Sequence, residues 1–292
     1  MILITGATGQ LGAAVVRQLL ARTDASNIAV LARDPEKAAD LERRGVSVRP
    51  GEYGDTASLA RAMRGVDRVL LIASNDFQQR MRQHRNVIAA AQAASVELLG
   101  FTSRSLGDME ASQNAMMRDY FETESLIRQS GVPALIFRNA LYLDTLPVSL
   151  GGPAVFKTGI RVPAGQGAVA YALRREMGEA TANAMLDHAA GDRTYVLAAP
   201  QASTFDDVAQ ALSEISGSTV TYTSVSDEDF VAHAIEQSMP EPMARHLVGF
   251  FADVRADQLS ETSTDLQTLL GRPPASLKDG LAELFAQVES EA

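Results

Sequence analysis

Three glycines define the first chemical possibility in this chain. Gly6-Ala7-Thr8-Gly9-Gln10-Leu11-Gly12 sets them at a Gly-x-x-Gly-x-x-Gly spacing, directly after the apolar run Ile2-Leu3-Ile4 and directly before an amphipathic segment. Between a strand and a helix this spacing suits the pyrophosphate of a dinucleotide. Gly6 permits the tight turn, Gly9 lets the backbone approach the phosphates, and Gly12 lets the helix pack closely on the strand. The N–H groups around Gln10 and Leu11 then face the phosphates, with Thr5 and Thr8 as flanking contacts. A glycine triplet alone reads equally as a plain turn; its position at the head of an α/β pattern makes it a cofactor loop.

A second position decides which dinucleotide. Where an acidic side chain would hold the ribose 2′-hydroxyl of NAD, the next apolar run ends at Leu31-Ala32-Arg33. The planar fork of Arg33 can pair with a 2′-phosphate and stack on adenine, and Lys37, one turn into the following helix, adds charge. The expected cofactor is therefore NADP(H), with NAD(H) as a secondary option; the competing reading of Arg33 is a solvated loop cation. Asp34-Pro35-Glu36 reads as a helix start, with Asp34 as N-cap and Pro35 in the first helical position.

Other chemistries are closed. The chain has no cysteine, which excludes a disulfide scaffold, a thiolate nucleophile and a cysteine zinc site. His84, His188, His233 and His246 show no paired metal spacing, and neither a Gly-x-Ser-x-Gly nor a phosphate-loop lysine motif occurs, so no metal is expected. Carbonyl reduction commonly uses a tyrosine made acidic by a lysine four residues later, because the alkoxide left by hydride transfer needs a proton. Here Tyr120-Phe121-Glu122-Thr123-Glu124 puts a carboxylate in that place, which disfavours phenolate. Tyr120 then reads as a helix or pocket-wall residue, His84 as a packing residue, and Phe205, Phe230, Phe250 and Phe251 as core.

The elements that position these residues follow from hydrophobic periodicity. Short apolar runs at 2–5, 28–32, 46–49, 69–73, 98–102 and 134–138 predict strands, and amphipathic segments at 11–21, 35–44, 56–64, 80–94 and 114–130 predict the helices between them. Strands this apolar require helices on both faces, so the fold class is α/β, a doubly wound parallel-sheet Rossmann fold. After Asn139 the alternation stops at Leu146-Pro147, Gly151-Gly152-Pro153 and Pro163-Ala164-Gly165. A helix at 174–188, a strand at 194–198, a helix at 204–216, a strand at 219–223 and helical segments to 285 follow. The expected division is a cofactor-binding domain over 1–140, with returning segments within about 165–200, and a smaller, mostly helical α/β substrate-side domain over 141–292, with the ligand cleft between them.

Composition narrows the partners. With 36 acidic against 26 basic residues and a net charge of -10, the surface repels phosphate backbones and anionic lipid, so nucleic acid is not an expected partner. No apolar run approaches the ~18 residues of a membrane span, and no signal-like leader opens the chain, which points to a soluble cytoplasmic protein.

Taken together, Ile4 to Gly12, Ala32-Arg33-Asp34-Pro35, Tyr53-Gly54-Asp55, Gln83-His84-Arg85-Asn86-Val87-Ile88, Arg138-Asn139-Ala140-Leu141-Tyr142 and Pro240-Glu241-Pro242 give a resemblance over nearly the whole chain. It is to the NmrA-like group of atypical short-chain dehydrogenases/reductases, in particular its quinone oxidoreductase type 2 and triphenylmethane reductase branch. The resemblance implies NADPH at the glycine loop and Arg33, with Ala73, Ser74 and Asn75 after the fourth strand and Asn139, Ala140, Leu141 and Tyr142 after the sixth lining ribose and nicotinamide. These positions follow strand ends, where such sheets bind ligands. Read alone, Ser74-Asn75 is equally a helix cap and Tyr142 equally core. Asn139 and Tyr142 are the expected orienting residues; solvent, Tyr120, Tyr142 or Thr102 are the available proton sources. Two functions fit: an NADPH-dependent reductase of a quinone or similar planar aromatic acceptor, or a non-catalytic NADP(H)-binding redox sensor of the NmrA-like type. Either is compatible with a homodimer.

Overall fold

Strands β1 (Ile2–Ile4), β2 (Ile28–Ala32), β3 (Ser47–Pro50), β4 (Arg68–Leu71), β5 (Leu98–Arg104) and β6 (Ala134–Asn139) form one parallel sheet with a seventh strand, Arg193–Leu197, in the order β3-β2-β1-β4-β5-β6-seventh. The computed structural model describes residues 1–108, 112, 115–187, 189 and 191–291, and the side chains of all of these except 115, 116 and 287–291. Reversal of strand order between β1 and β4 opens the crevice at the carboxyl ends of the strands, as in other doubly wound sheets.

The pleat explains why these runs are so apolar. Ile2 and Ile4 of β1 face one layer with Val30, Leu70 and Phe137, under helix α1 (Gln10–Arg22) and helix Arg174–Leu186. Leu3 faces the other layer with Leu31, Val69, Leu71 and Phe101, under α3 (Thr56–Ala62), α4 (Arg80–Ala93) and α5 (Ala115–Ser130). Small residues set the spacing of the first layer: a Cβ added at Gly178 would lie 2.6 Å from the Ala14 side chain on α1. A third core, built from Leu143, Val162, Phe205, Val208, Leu212, Phe251 and Phe285, lies under the later helices. The phenylalanines set aside in the sequence pack there against one another, with Phe250–Phe251 and Phe230–Phe251 ring centroids both 5.3 Å apart.

Most predicted segments are present, and their ends move for physical reasons. The segment 35–44 is a 3-10 turn, Pro35–Ala38, followed by the short helix α2 (Ala39–Arg43), and Asp34 caps it by accepting from Glu36 N–H at 3.1 Å. The strand expected at 219–223 runs instead over Tyr222–Ser224, parallel to Ile160–Val162, since Val220 N–H donates to Ser213 Oγ. Asn114 and His188, the expected ends of two helices, lie outside the described residues.

The largest revision is at β4, which ends at Leu71 rather than Ala73. Its next three backbone N–H groups go to side chains: Ile72 to Thr5 Oγ1, Ala73 to Thr102 Oγ1 and Ser74 to His84 Nε2, each at 3.0 Å. Ser74 carbonyl accepts from Arg80 Nε at 2.8 Å. His84 is fully buried, edge-on to Phe101, with Nδ1 2.8 Å from Thr123 Oγ1. Thr123 gives its own proton to Asp119 carbonyl, so the partners fix the neutral, Nδ1-protonated tautomer of His84. Burial, helped by the charge of Arg80, pushes its pKa down from 6.5 to about 3.

That shift makes acid sensitivity testable. Between about 6.5 and about 3 the unfolded chain takes a proton that folded His84 refuses, so stability present above 6.5 is lost as pH falls, by ~1.4 kcal/mol per pH unit at most. In urea unfolding across pH 4–7, His84→Gln, which keeps a donor and an acceptor but does not titrate, is expected to flatten that limb relative to wild type.

Candidate active site

A cleft of about 760 Å³ runs along the carboxyl ends of β2, β1, β4, β5 and β6. Its floor is the glycine loop. Gly6 has φ +61°, the left-handed conformation that the turn from β1 into α1 requires. A Cβ at Gly12 would lie 2.7 Å from Ala7 Cα and 2.8 Å from the Gly6 carbonyl carbon, so the helix start and the strand end approach as closely as glycine allows. A Cβ at Gly9 would meet only Gly6 oxygen at 3.4 Å, and Gly9 lines the cleft. The loop therefore presents bare backbone at the amino terminus of a 13-residue helix, a fit to a pyrophosphate.

Of the residues singled out in the sequence, Gly6, Thr8, Gly9, Gln10, Leu11, Gly12, Arg33, Lys37, Ala73, Ser74, Asn75, Thr102 and Tyr142 line this cleft together. Arg33 and Lys37 are exposed at one end and form no ion pair among the described residues. Four others are not on the wall. Thr5 is buried behind it, donating to Leu70 carbonyl and accepting from Ile72 N–H. Ala140 is buried with its N–H on Leu197 carbonyl, and Leu141 joins the third core, its carbonyl accepting from Ala172 N–H. Asn139 is fully buried and acts through its neighbour: its Nδ2 donates to the Tyr142 hydroxyl oxygen at 3.1 Å, while its Oδ1 has no partner among the described residues.

Tyr142 forms the far wall. Arg174 and Arg104 stand over its ring, with guanidinium carbons 4.6 and 5.7 Å from the centroid. Burial raises its hydroxyl pKa, opposed by Arg104, Asn139 and Arg174. The phenol is neutral at physiological pH, and with Asn139 donating to its oxygen, the hydroxyl keeps its own O–H as a donor. Tyr120 also lines the cleft, and Arg80 lies 4.9 Å from its ring. Glu124 is a buried anchor. Burial pushes its carboxyl up, but Arg138 at 2.8 and 3.0 Å, Ser103 at 2.6 Å and Arg128 at 3.0 Å hold it below the usual carboxylate range. It therefore offers no proton to Tyr120 and no cation to a ribose.

Several wall residues escaped the sequence reading. Tyr53 is one: its hydroxyl lies 2.5 Å from Thr5 Oγ1 and 2.9 Å from Ile72 carbonyl, and Asn86 holds its own carbonyl. Arg82, Arg104 and Arg174 are others that carry positive charge. Arg174 reaches Asp144 and the Gln10 side chain, bridging α1 to the segment after β6. Tyr53 and Asn86 stand in the motifs that carried the family resemblance, which was their only signal. Arg104 and Arg174 had none, since their place in the cleft comes from tertiary structure. Among the described residues no group of His, Asp or Glu side chains is arranged to hold a metal, and no helix is long and apolar enough to cross a membrane.

The sheet order, the glycine cradle and the basic residues at the end of β2 define a dinucleotide-binding protein of the short-chain dehydrogenase/reductase type. The chain belongs to the NmrA-like family, whose model matches residues 1–270. It is 35% identical to quinone oxidoreductase 2 of Escherichia coli (strain K12), over 98% of this chain and 99% of that one. Its structure is similar to that of the NADPH-dependent quinone oxidoreductase of Escherichia coli complexed with NADPH, with TM-score 0.91, 35% identity and coverage of 98% and 100% of the two chains. It is equally similar to the Citrobacter sp. triphenylmethane reductase complexed with NADP(H), with TM-score 0.91, 35% identity and coverage of 97% and 100%.

The glycines make opposite predictions. Gly12→Ala is expected to lose ~1–3 kcal/mol in denaturant unfolding, because backbone must move to admit the methyl group. Gly9→Ala is expected to keep its unfolding midpoint but to bind NADPH about tenfold more weakly in a fluorescence titration, because its methyl group occupies ligand space.

Proposed function

We propose that this protein is an NADPH-dependent oxidoreductase that reduces a quinone or a similar planar aromatic acceptor. The observation that carries the reading is one continuous cleft in which Arg33 with Lys37, the glycine loop and a protonated tyrosine wall succeed one another along the strand ends. Arg33 and Lys37 hold the 2′-phosphate, the N–H groups beyond Gly9 hold the pyrophosphate, and the segment 73–75 with Thr102 supports the ribose and nicotinamide. When bound, NADPH supplies a hydride, and the quinone gains that hydride and one proton to leave as hydroquinone.

The chain's own work is orientation and proton placement. Tyr142, held by Asn139 from behind, presents a phenolic proton to an acceptor oxygen, and its ring with that of Tyr120 gives a planar substrate two aromatic surfaces. Tyr142 is the residue proposed to touch the substrate; Asn139 is a positioning residue. The lysine-assisted tyrosine of ordinary carbonyl reductases has no counterpart, as Glu124 is committed to Arg138. This suits an acceptor that is already electrophilic. The division into a cofactor half over 1–140, with segments of 165–200 returning to it, and a substrate half over 141–292 belongs to the same reading, supported by the third core and by Tyr142 pairing with Ala172. The lack of cysteine supports action in the reducing cytoplasm.

The test is NADPH oxidation by the purified protein with benzoquinones and naphthoquinones. Saturable turnover is expected, and Arg33→Ala is expected to lower kcat/KM for NADPH ~10–100-fold while sparing NADH. Tight NADPH binding with no turnover on any acceptor would favour a redox sensor instead.

A further inference from the structure

Arg104 is the last residue of β5, opposite Asn139 in the β5–β6 register, and lines the cleft beside Tyr142. Arg104 is half-buried, and its guanidinium makes no hydrogen bond or ion pair within the described residues beyond its contact with the Tyr142 ring. The other cations of the cleft are placed differently. Arg174 is tied to Asp144 and Gln10, and Arg82 to Gln79. Arg33 and Lys37 follow β2, which β1 and β4 separate from β5, so the two strand ends lie ~14 Å apart and Arg104 stands well away from the 2′-phosphate end. Glu261, the carboxylate that reaches the residue after Arg104, is bound by Ser105 Oγ at 2.5 Å and does not pair with Arg104.

A half-buried arginine whose guanidinium donors are unused, standing beside an aromatic wall, is a recognition element for oxygen anions. Its planar fork matches a carboxylate or sulfonate, and its charge opposes a cation in the same space. We infer that the acceptor is an anionic aromatic, a planar quinone bearing a carboxylate, sulfonate or ionised hydroxyl, and that Arg104 selects it over neutral quinones and cationic dyes. This rests on the reductase reading for the ligand's fate, but not for its binding.

The experiment separates the two. Protein saturated with NADP⁺, so that the cofactor's own anion sites are filled, is titrated calorimetrically with naphthalene-2-sulfonate, a redox-inert aromatic anion, and with neutral 2-naphthol. The sulfonate is expected to bind more tightly than the naphthol, and Arg104→Gln to weaken sulfonate binding ~10–100-fold; Arg104→Lys, which keeps charge without the fork, is expected to lose less. In the turnover arm, the ratio of kcat/KM for 1,2-naphthoquinone-4-sulfonate to that for 1,2-naphthoquinone is expected to fall at least about tenfold in Arg104→Gln. Comparing that ratio between wild type and variant cancels the intrinsic reactivity of each quinone. Thermal midpoints matching wild type identify folded variants. Equal sulfonate affinity in wild type and a folded Arg104→Gln would overturn the inference. Sulfonate binding that depends on Arg104, with no turnover of any quinone, would uphold it and overturn the reductase reading alone.

Discussion

A parallel sheet runs out of neighbours at its carboxyl edge, and every backbone donor exposed there must find another partner or bind a ligand. The cleft is shaped by how this chain meets that constraint after β4. Thr5 from the end of β1, Thr102 from β5 and His84 from α4 take three successive N–H groups, while Tyr53 and Arg80 reach the Ile72 and Ser74 carbonyls. With five side chains from four parts of the fold closing on residues 72–74, two of them from α4, this stretch of wall is set before any ligand arrives. After β1 the opposite choice is made: the glycine loop leaves backbone open at the start of α1. The same constraint thus gives a closed wall on one strand end and a ligand-seeking one on the next.

The buried ion pair on the α5 side serves the same end. Glu124 is enclosed, and an unpartnered carboxylate there would be costly; Arg138, Arg128 and Ser103 together leave it ionised and saturated. It sits where related chemistry would place a cation, and its partners come from β6, α5 and β5. This pair fixes α5, and with it Tyr120, against the strands whose ends carry Arg104 and Asn139. A position that could have served proton transfer has become a brace.

How much of this was legible in the sequence depends on how local each signal is. Strands β1 to β6 were readable because pleated runs such as Ile2-Leu3-Ile4 are apolar on both faces. The glycine loop and Arg33 were readable because their spacing is contiguous in the chain and each glycine answers a local steric demand. Strand ends were less legible, since Leu71 ends β4 only because side chains 67, 29 and 10 residues away capture the next N–H groups. Thr5 and Asn139 were picked out in the sequence, yet both stand one layer behind the wall, holding Ile72 and Tyr142 in place. Arg104 and Arg174 carried no local signal at all: one ends a strand, the other starts a helix, and only the packing of that helix on α1 brings both to one tyrosine ring.

The balance of charge gives the architecture a further consequence. The chain carries a net charge of -10, yet its cleft is lined by Arg33, Lys37, Arg82, Arg104 and Arg174 against only Glu52 and Asp76. Random placement in so acidic a protein would make the cleft acidic too. A positive trough in a negative surface concentrates the field along the strand ends, where the proposed dinucleotide site lies, and repels an anionic ligand elsewhere. Since exposed charges are screened beyond ~8–10 Å at physiological ionic strength, this focusing acts chiefly inside the cleft, within reach of its own cations. On the proposed reading the recognition of ligands is then divided: bare backbone at the glycine loop reads the shape of the cofactor, Arg33 and Lys37 supply charge at its phosphate end, and Arg104 keeps its charge for the acceptor.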